Sequence, residues 1–210
     1  MAEQPIIDFW LSLGSTYTYL AVMRADDVAS QTDDVASQNG VTLRWRPFSV
    51  RKIMQAMDNR FLAGKPEKYA YMWADIARQA AFYGIPANVP VPHPITEFDL
   101  AHRVAILGMR EGWGIDFIKD SFRRWYEFRR EPGSEPNLSD TLHTLGLDPA
   151  AVRAAADAPD IATTLEAETA EARALGIFGA PTFVVGGKEL FWGNDRLEHA
   201  INWAKTGRIG

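Results

Sequence analysis

The sequence predicts an α/β fold in which strands from both ends of the chain share one sheet and a large helical block is inserted between them. Three observations lead there. Residues 5–47 read as strand, helix, strand; residues from about 51 to 175 carry almost only helical patterns; and residues 181–205 read as a β-hairpin followed by a helix. The order is therefore βαβ, helices, ββα. Residues 1–50 and 176–210 form one discontinuous domain in this reading, and 51–175 an all-helical insertion domain.

Pro5-Ile6-Ile7-Asp8-Phe9-Trp10-Leu11 is dense in β-branched and aromatic residues and too uniformly apolar for an exposed edge, so it is expected at the centre of the sheet. Leu13-Gly14-Ser15-Thr16 is a turn, and Tyr17 to Met23 begins a helix with Ser15 or a neighbour as its cap. Asp26-Asp27-Val28-Ala29-Ser30-Gln31 then recurs as Asp33-Asp34-Val35-Ala36-Ser37-Gln38. A step of about two helical turns lengthens a helix without rotating its apolar face much, so this duplication reads as helix extension or a tolerated loop insertion. Asn39-Gly40 turns into a second strand, Val41 to Pro47. Helical patterns follow over 67–83, 97–112, 115–130, 138–145 and 148–175, the last broken near Pro159. Pro181 to Val185 and Lys188 to Trp192 flank a Gly186-Gly187 turn, which is a hairpin signal, and Arg196 to Lys205 is a closing amphipathic helix.

The 210 residues are 47% hydrophobic and 23% charged, a globular balance, with a net charge of −5 that offers no general attraction to nucleic acid or an anionic membrane. Met1 to Phe9 lacks the basic patch and long apolar run of a signal peptide, and no stretch is long and apolar enough for a membrane span, so a cytoplasmic location is expected. The chain has no cysteine. That excludes disulfides, thiolate metal sites and a thiol nucleophile of its own, so any sulfur chemistry must arrive with a ligand. His93, His102, His143 and His199 show no spacing that metal sites favour, and no metal is expected. Arg123-Arg124-Trp125-Tyr126-Glu127-Phe128-Arg129-Arg130 mixes basic and aromatic residues, yet at helical spacing it is more simply a packed face beside a solvated one.

Two distant segments locate a candidate site. Ser15-Thr16-Tyr17-Thr18 opens a helix, and Gly179-Ala180-Pro181-Thr182-Phe183 enters the hairpin with a proline that has no N–H for the ladder. A cis Ala180-Pro181 bond would present the Ala180 backbone to whatever occupies the helix start. Each residue also has a plain structural use: Ser15 as an N-cap, Pro181 as an edge-strand proline, Asn194 and Asp195 as caps of the last helix.

The element order and the Pro-Thr-Phe before the hairpin resemble the DsbA-like branch of the thioredoxin superfamily, with Ser15 and Thr18 where its C-x-x-C cysteines stand. Within that branch the chain more closely resembles the 2-hydroxychromene-2-carboxylate isomerases and kappa-class glutathione transferases. Those proteins read D-F-x-x-x-x-x-S-P-Y-S-Y-L-A where this chain has Asp8-Phe9 through Ser15-Thr16-Tyr17-Thr18-Tyr19-Leu20-Ala21. Asn59, Pro66, Lys68, Tyr71 and Asp75 match a further family segment, although Phe61-Leu62 replaces its paired prolines. Gly176 to Phe183 and Phe191 to Leu197 resemble the family's two closing signatures.

The resemblance implies a thioredoxin-like fold and glutathione as cofactor, with Ser15 as catalytic residue at the sulfur. Asn59, Ala180, Pro181, Asn194 and Asp195 would be the further glutathione contacts. It also implies a small aromatic carboxylate as substrate, a homodimer, and no nucleic-acid or membrane partner. The expected activity is isomerisation of the 2-hydroxychromene-2-carboxylate type in aromatic catabolism, by reversible thiolate addition to an unsaturated ring-opened form. The alternatives are a kappa-like transferase or peroxidase, which keeps the adduct, and a non-catalytic binding module of the same fold.

Overall fold

A computed structural model describes residues 4–30, 40–59 and 64–210 of the chain. Strand β1 (Ile6–Leu11) turns into α1 (Thr16–Ser30), and β2 (Thr42–Pro47) returns beside it. Helices follow: α2 (Val50–Ala56), α3 (Pro66–Tyr83), α4 (Phe98–Glu111), α5 (Gly114–Phe128), α6 (Asn137–Thr144), α7 (Pro149–Ala156) and α8 (Pro159–Ala174). The hairpin β3 (Thr182–Val185) and β4 (Glu189–Trp192) comes next, then a short 3-10 turn (Asn194–Arg196) and α9 (Leu197–Thr206). This is a thioredoxin-like α/β fold.

The sheet runs β2-β1-β3-β4, with β1 and β2 parallel and the other pairs antiparallel. β1 is central, and Ile7 to Leu11 are buried, as its unbroken apolar run requires. One face stacks Phe9 on Phe183 and sets Phe9 edge-on to Trp45, both at 4.9 Å; α1 and α9 cover it. The other face carries Trp10, which meets Phe48 edge-on and lies beneath the Arg46 guanidinium at 4.0 Å. Arg46 in turn pairs with Glu168 and Glu171 of α8, so that helix is fastened to the sheet through β2. At the hairpin, Gly186 and Gly187 both take positive φ, a conformation in which a side chain is unfavourable.

The helices fall within a residue or two of their patterns, and the long 148–175 pattern does break at Pro159. Among the described residues, the α-helix not foreseen is α2, and the 3-10 turn at Asn194–Arg196 is likewise new. Only Val50 and Ile53 of the seven residues of α2 are buried, too few to set up a period, and Ser49 caps the helix by accepting from the Lys52 N–H. The first copy of the duplication reaches α1 at Asp26–Ser30, whereas the second lies outside the described residues. In α5, Trp125 and Tyr126 are buried while Arg123 and Arg124, with Arg130 just past the helix, pair with Asp120 and Asp140, so the basic-aromatic segment is a packed face beside a solvated one. No described helix is long and apolar enough to cross a membrane.

Candidate active site

β1 and β3 are antiparallel with Trp10 opposite Thr182, which brings the turn leaving β1 and the segment entering β3 to the same end of the sheet. Ser15 and Pro181 therefore meet although most of the chain lies between them. The Ser15 Oγ donates to the Ala180 carbonyl at 2.7 Å, and the Ala180-Pro181 bond is cis. Thr182 Oγ1 donates to the Gly179 carbonyl at 2.9 Å, and the Gly193 N–H donates to the Pro181 carbonyl at 3.0 Å. The Ala180 N–H has no backbone partner among the described residues. Trp192 covers Gly179 so closely that a Cβ there has no room, and it stands edge-on to Phe178 at 4.8 Å, both rings exposed.

Three inserted helices hold the Ser15 turn. Tyr126 on α5 donates to the Thr16 carbonyl at 2.8 Å, and Thr16 Oγ1 lies 3.3 Å from the Met72 sulfur on α3. The fully buried His102 on α4 does more. Its Nε2 accepts the Leu13 N–H at 3.1 Å and lies 3.0 Å from Ser12 Oγ, while Nδ1 lies 2.7 Å from the Phe98 carbonyl. A backbone N–H can only donate and a carbonyl can only accept, which assigns the proton to Nδ1 and makes the imidazole neutral. Burial pushes its pKa down to about 4, against the Phe98 carbonyl and Asp99 and aided by Arg51.

The α1 N-terminus adds N–H groups without intrahelical partners and the positive end of the helix dipole. Thr18, at the second position of the C-x-x-C pattern, is fully buried, and its Oγ1 has no hydrogen-bond partner among the described residues. Only Ser15 of that pair is open to a ligand.

Beyond Ser15 lies an acidic cluster. Tyr17 donates to Asp75 Oδ2 at 2.9 Å, Gln79 donates to the same oxygen at 2.7 Å, and the buried Asn194 amide donates to Gln79 Oε1 at 2.7 Å. Burial first, and Asp75 second, push the Tyr17 phenol up, with Tyr71 and Asp195 adding to the effect. Asp195 is exposed, 3.3 Å from Arg196.

The structure thus joins Ser15, Ala180 and Pro181 directly, and sets Asn194 and Asp195 beside α1 through the 3-10 turn that packs on it, the Asn194 backbone carbonyl accepting from Arg24 and its side-chain amide linked to Tyr17 through Gln79 and Asp75. Asn59 is different. It is exposed after α2, its N–H bonded to the Met54 carbonyl at 2.9 Å, and no contact among the described residues joins it to Ser15. Sequence reasoning missed His102, whose partners stand 89 and 90 positions away, a separation no local pattern reports. It also gave Tyr17 and Gln79 no role, and recorded Asp75 only as part of a motif. Among the described residues no group of three His, Cys, Asp or Glu could hold a metal ion.

Residues 6–201 match the family model of the DSBA-like thioredoxin domain. The chain is similar to 2-hydroxychromene-2-carboxylate isomerases of Sphingobium xenophagum, at 26% identity over 91% of this chain and 94% of that protein, and of Pseudomonas putida, at 24% over 91% and 90%. A shorter stretch, 43% of this chain and 37% of the relative, is 32% identical to glutathione S-transferase kappa 1 of Caenorhabditis elegans. Among solved structures, a 2-hydroxychromene-2-carboxylate isomerase superposes with a TM-score of 0.77 at 24% identity, over 91% of this chain and 90% of that one. The cytosolic disulfide reductase DsbM from Pseudomonas aeruginosa with GSH gives 0.62 at 15%, over 95% of each. With a family match spanning both halves of the sheet and the helices between them, the protein belongs to the DsbA-like thioredoxin family.

Proposed function

We propose that the chain is a glutathione-dependent isomerase of the 2-hydroxychromene-2-carboxylate type, acting on a small aromatic carboxylate in the cytoplasm as a homodimer. Two relatives along almost the whole length are named 2-hydroxychromene-2-carboxylate isomerase. One observation carries the reading: in a chain without cysteine, a half-buried serine hydroxyl at the start of α1 touches the carbonyl preceding a cis-proline. The family's thiol position is thus kept as a hydroxyl that can hold a thiol but not replace it. The division into a discontinuous sheet domain (1–50 and 176–210) and an inserted helical domain (51–175) belongs to the same proposal.

The residues present fit glutathione. Bound there, glutathione would supply the thiol nucleophile that the protein lacks, the group needed for reversible addition to an unsaturated ring-opened substrate. Ser15 exchanges its bond to the Ala180 carbonyl for one to the sulfur, and the free N–H groups and dipole of α1 favour the thiolate. The Ala180 N–H pairs with the tripeptide backbone as an added strand would. Asp195, with Asp75 behind Tyr17, holds the γ-glutamyl ammonium, and the Asn194 carbonyl oxygen assists, its amide already committed to Gln79. Asn59 belongs to the proposed contacts by its place in the family motif alone, with no contact to Ser15 among the described residues.

Adding glutathione should raise the melting temperature and produce thiolate absorbance. The ultraviolet spectrum of the chromene carboxylate should then change without net glutathione consumption. The kappa-related stretch supports a second reading, transferase or peroxidase, which consumes glutathione with each turnover. Absence of both the thermal shift and the thiolate signal would overturn both readings in favour of a binding module.

A further inference from the structure

Arg51 stands in the first turn of α2, one aromatic ring away from the turn that carries Ser15. Its guanidinium lies 4.0 Å from the centroid of Phe98, and that same ring closes against Gly14 so tightly that no Cβ fits. Nη2 donates to the Ile95 carbonyl at 2.9 Å, and the Ile95 side chain also lies against Gly14. The guanidinium is therefore fixed in orientation with most of its five N–H donors unspent. It borders a cavity of about 330 Å³ between α2 and the start of α4, shared with Lys52, Glu97, Asp99 and Arg103.

The charges around it set Arg51 apart. Lys52 is paired with Glu166, Arg103 with Asp157, Arg46 with Glu168 and Glu171, and Arg123 and Arg124 with Asp120. Among the described residues Arg51 is the one arginine that is neither fully exposed nor paired with a carboxylate. Asp99 acts on it at longer range, while burial pulls its pKa down. The other cations of the cavity, Lys52 and Arg103, are each paired with a carboxylate, and His93 and His102, both within its field, have pKa values pushed down to about 4, first by burial, and are neutral near pH 7. A half-buried cation with no counter-ion is costly, and such groups concentrate where a ligand completes them.

We propose that Arg51 is the anchor for the substrate's carboxylate, holding it by a two-pronged guanidinium pair one ring away from Ser15. Only the identity of the substrate rests on the isomerase reading. The anion site itself stands on the Arg51 guanidinium, its bond to the Ile95 carbonyl and the cavity it borders, with the Phe98 ring between Arg51 and Gly14. A guanidinium fork matches a carboxylate in plane and spacing, so the residue selects for aromatic acids over neutral aromatics of the same shape.

The test uses the full chain saturated with glutathione, titrated calorimetrically with trans-2-hydroxycinnamate, a stable aromatic acid, and with its methyl ester as the neutral control. The variants are R51Q, which keeps an amide N–H for Ile95, and R51K, which keeps the charge. Wild type should bind the acid at least about tenfold more tightly than the ester, as loss of a charge-assisted pair implies. R51Q should lose that preference with the ester's affinity unchanged, and R51K should retain part of it. With the chromene carboxylate as substrate, R51Q should raise KM about tenfold with kcat nearly unchanged. Equal binding of acid and ester by wild type, an undiminished preference in R51Q, or equal weakening of both probes together with a lowered melting temperature would each overturn the proposal. Failure of the isomerase reading looks different: no isomerisation by wild type, with the Arg51-dependent preference for the acid intact.

Discussion

The Ser15 hydroxyl donates to the Ala180 carbonyl at 2.7 Å, so the group proposed to meet a thiol is already spent on the backbone beside Pro181. A serine O–H donates one hydrogen bond at a time. Binding a thiolate therefore requires the hydroxyl to rotate away from Ala180, and the lost bond offsets part of the gain. The contact fixes the Oγ beside Pro181, so only the direction of the O–H has to change.

Ser15→Ala removes the donor while leaving the α1 N-terminus intact. With a charge-assisted bond of about 1.5–3 kcal/mol at stake, kcat/KM should fall about 10- to 100-fold and the pKa of the bound thiol should rise by about one unit or more. Turnover followed beside a pH titration of the thiolate absorbance measures both. An unchanged rate with an unchanged thiol titration would remove Ser15 from the mechanism.

His102→Ala leaves the Leu13 N–H and the Phe98 carbonyl, both served by the imidazole, without their partner. Each lost buried partner costs about 1–3 kcal/mol, so urea unfolding should show a destabilisation of about 2–6 kcal/mol. Because Leu13 is two residues from Ser15, the same variant should lower kcat more than it weakens glutathione binding. A variant that unfolds early yet keeps wild-type kcat at low temperature would make His102 structural only.

The low pKa of His102 carries a sign. In the unfolded chain the imidazole titrates near 6.5, and in the folded protein near 4 because burial disfavours the charged form. Between these values the unfolded state binds more protons, so stability falls as pH falls from about 6.5 toward 4, by about 3 kcal/mol at the bottom of the window. His93 shifts in the same direction and steepens the loss. Urea midpoints measured at a series of pH values should decline on acidification, and His102→Gln should flatten the curve. A protein that gained stability between pH 7 and 5 would contradict the neutral assignment.

What the sequence made legible was periodic or punctuated. The apolar run of β1, the Gly186-Gly187 turn and the Pro159 break each act within a few residues of themselves, and each is found where the pattern puts it. The Ser15 and Pro181 segments could be singled out because a helix start and a strand-entry proline are local signals too. What escaped is pairwise and distant. His102 lies on an ordinary amphipathic helix and becomes informative only when α4 is laid against the β1–α1 turn. Thr18 and Ser15 look equivalent in sequence, yet one helical turn carries Thr18 into the core and leaves Ser15 at the surface of the site. Asn59 was picked from a spacing match, and a spacing match says nothing of how the chain after α2 approaches Ser15.

Asp195 offers the sharpest test of which molecule the site takes. It is exposed, its pairing with Arg196 at 3.3 Å is a loose surface contact between sequence neighbours, and its charge is felt at Tyr17 across the start of α1. A surface pair of this kind contributes little to folding, so Asp195→Asn should leave the melting temperature nearly unchanged. Glutathione affinity is another matter, because the variant removes one of the two carboxylates proposed to hold the γ-glutamyl ammonium. The loss should be about tenfold at low ionic strength and smaller in high salt, where screening already weakens the wild-type interaction. A glutathione analogue lacking the γ-glutamyl amino group should bind wild type and variant alike. If the variant instead loses affinity equally for both ligands, Asp195 acts through the shape of the 3-10 turn and not through its charge.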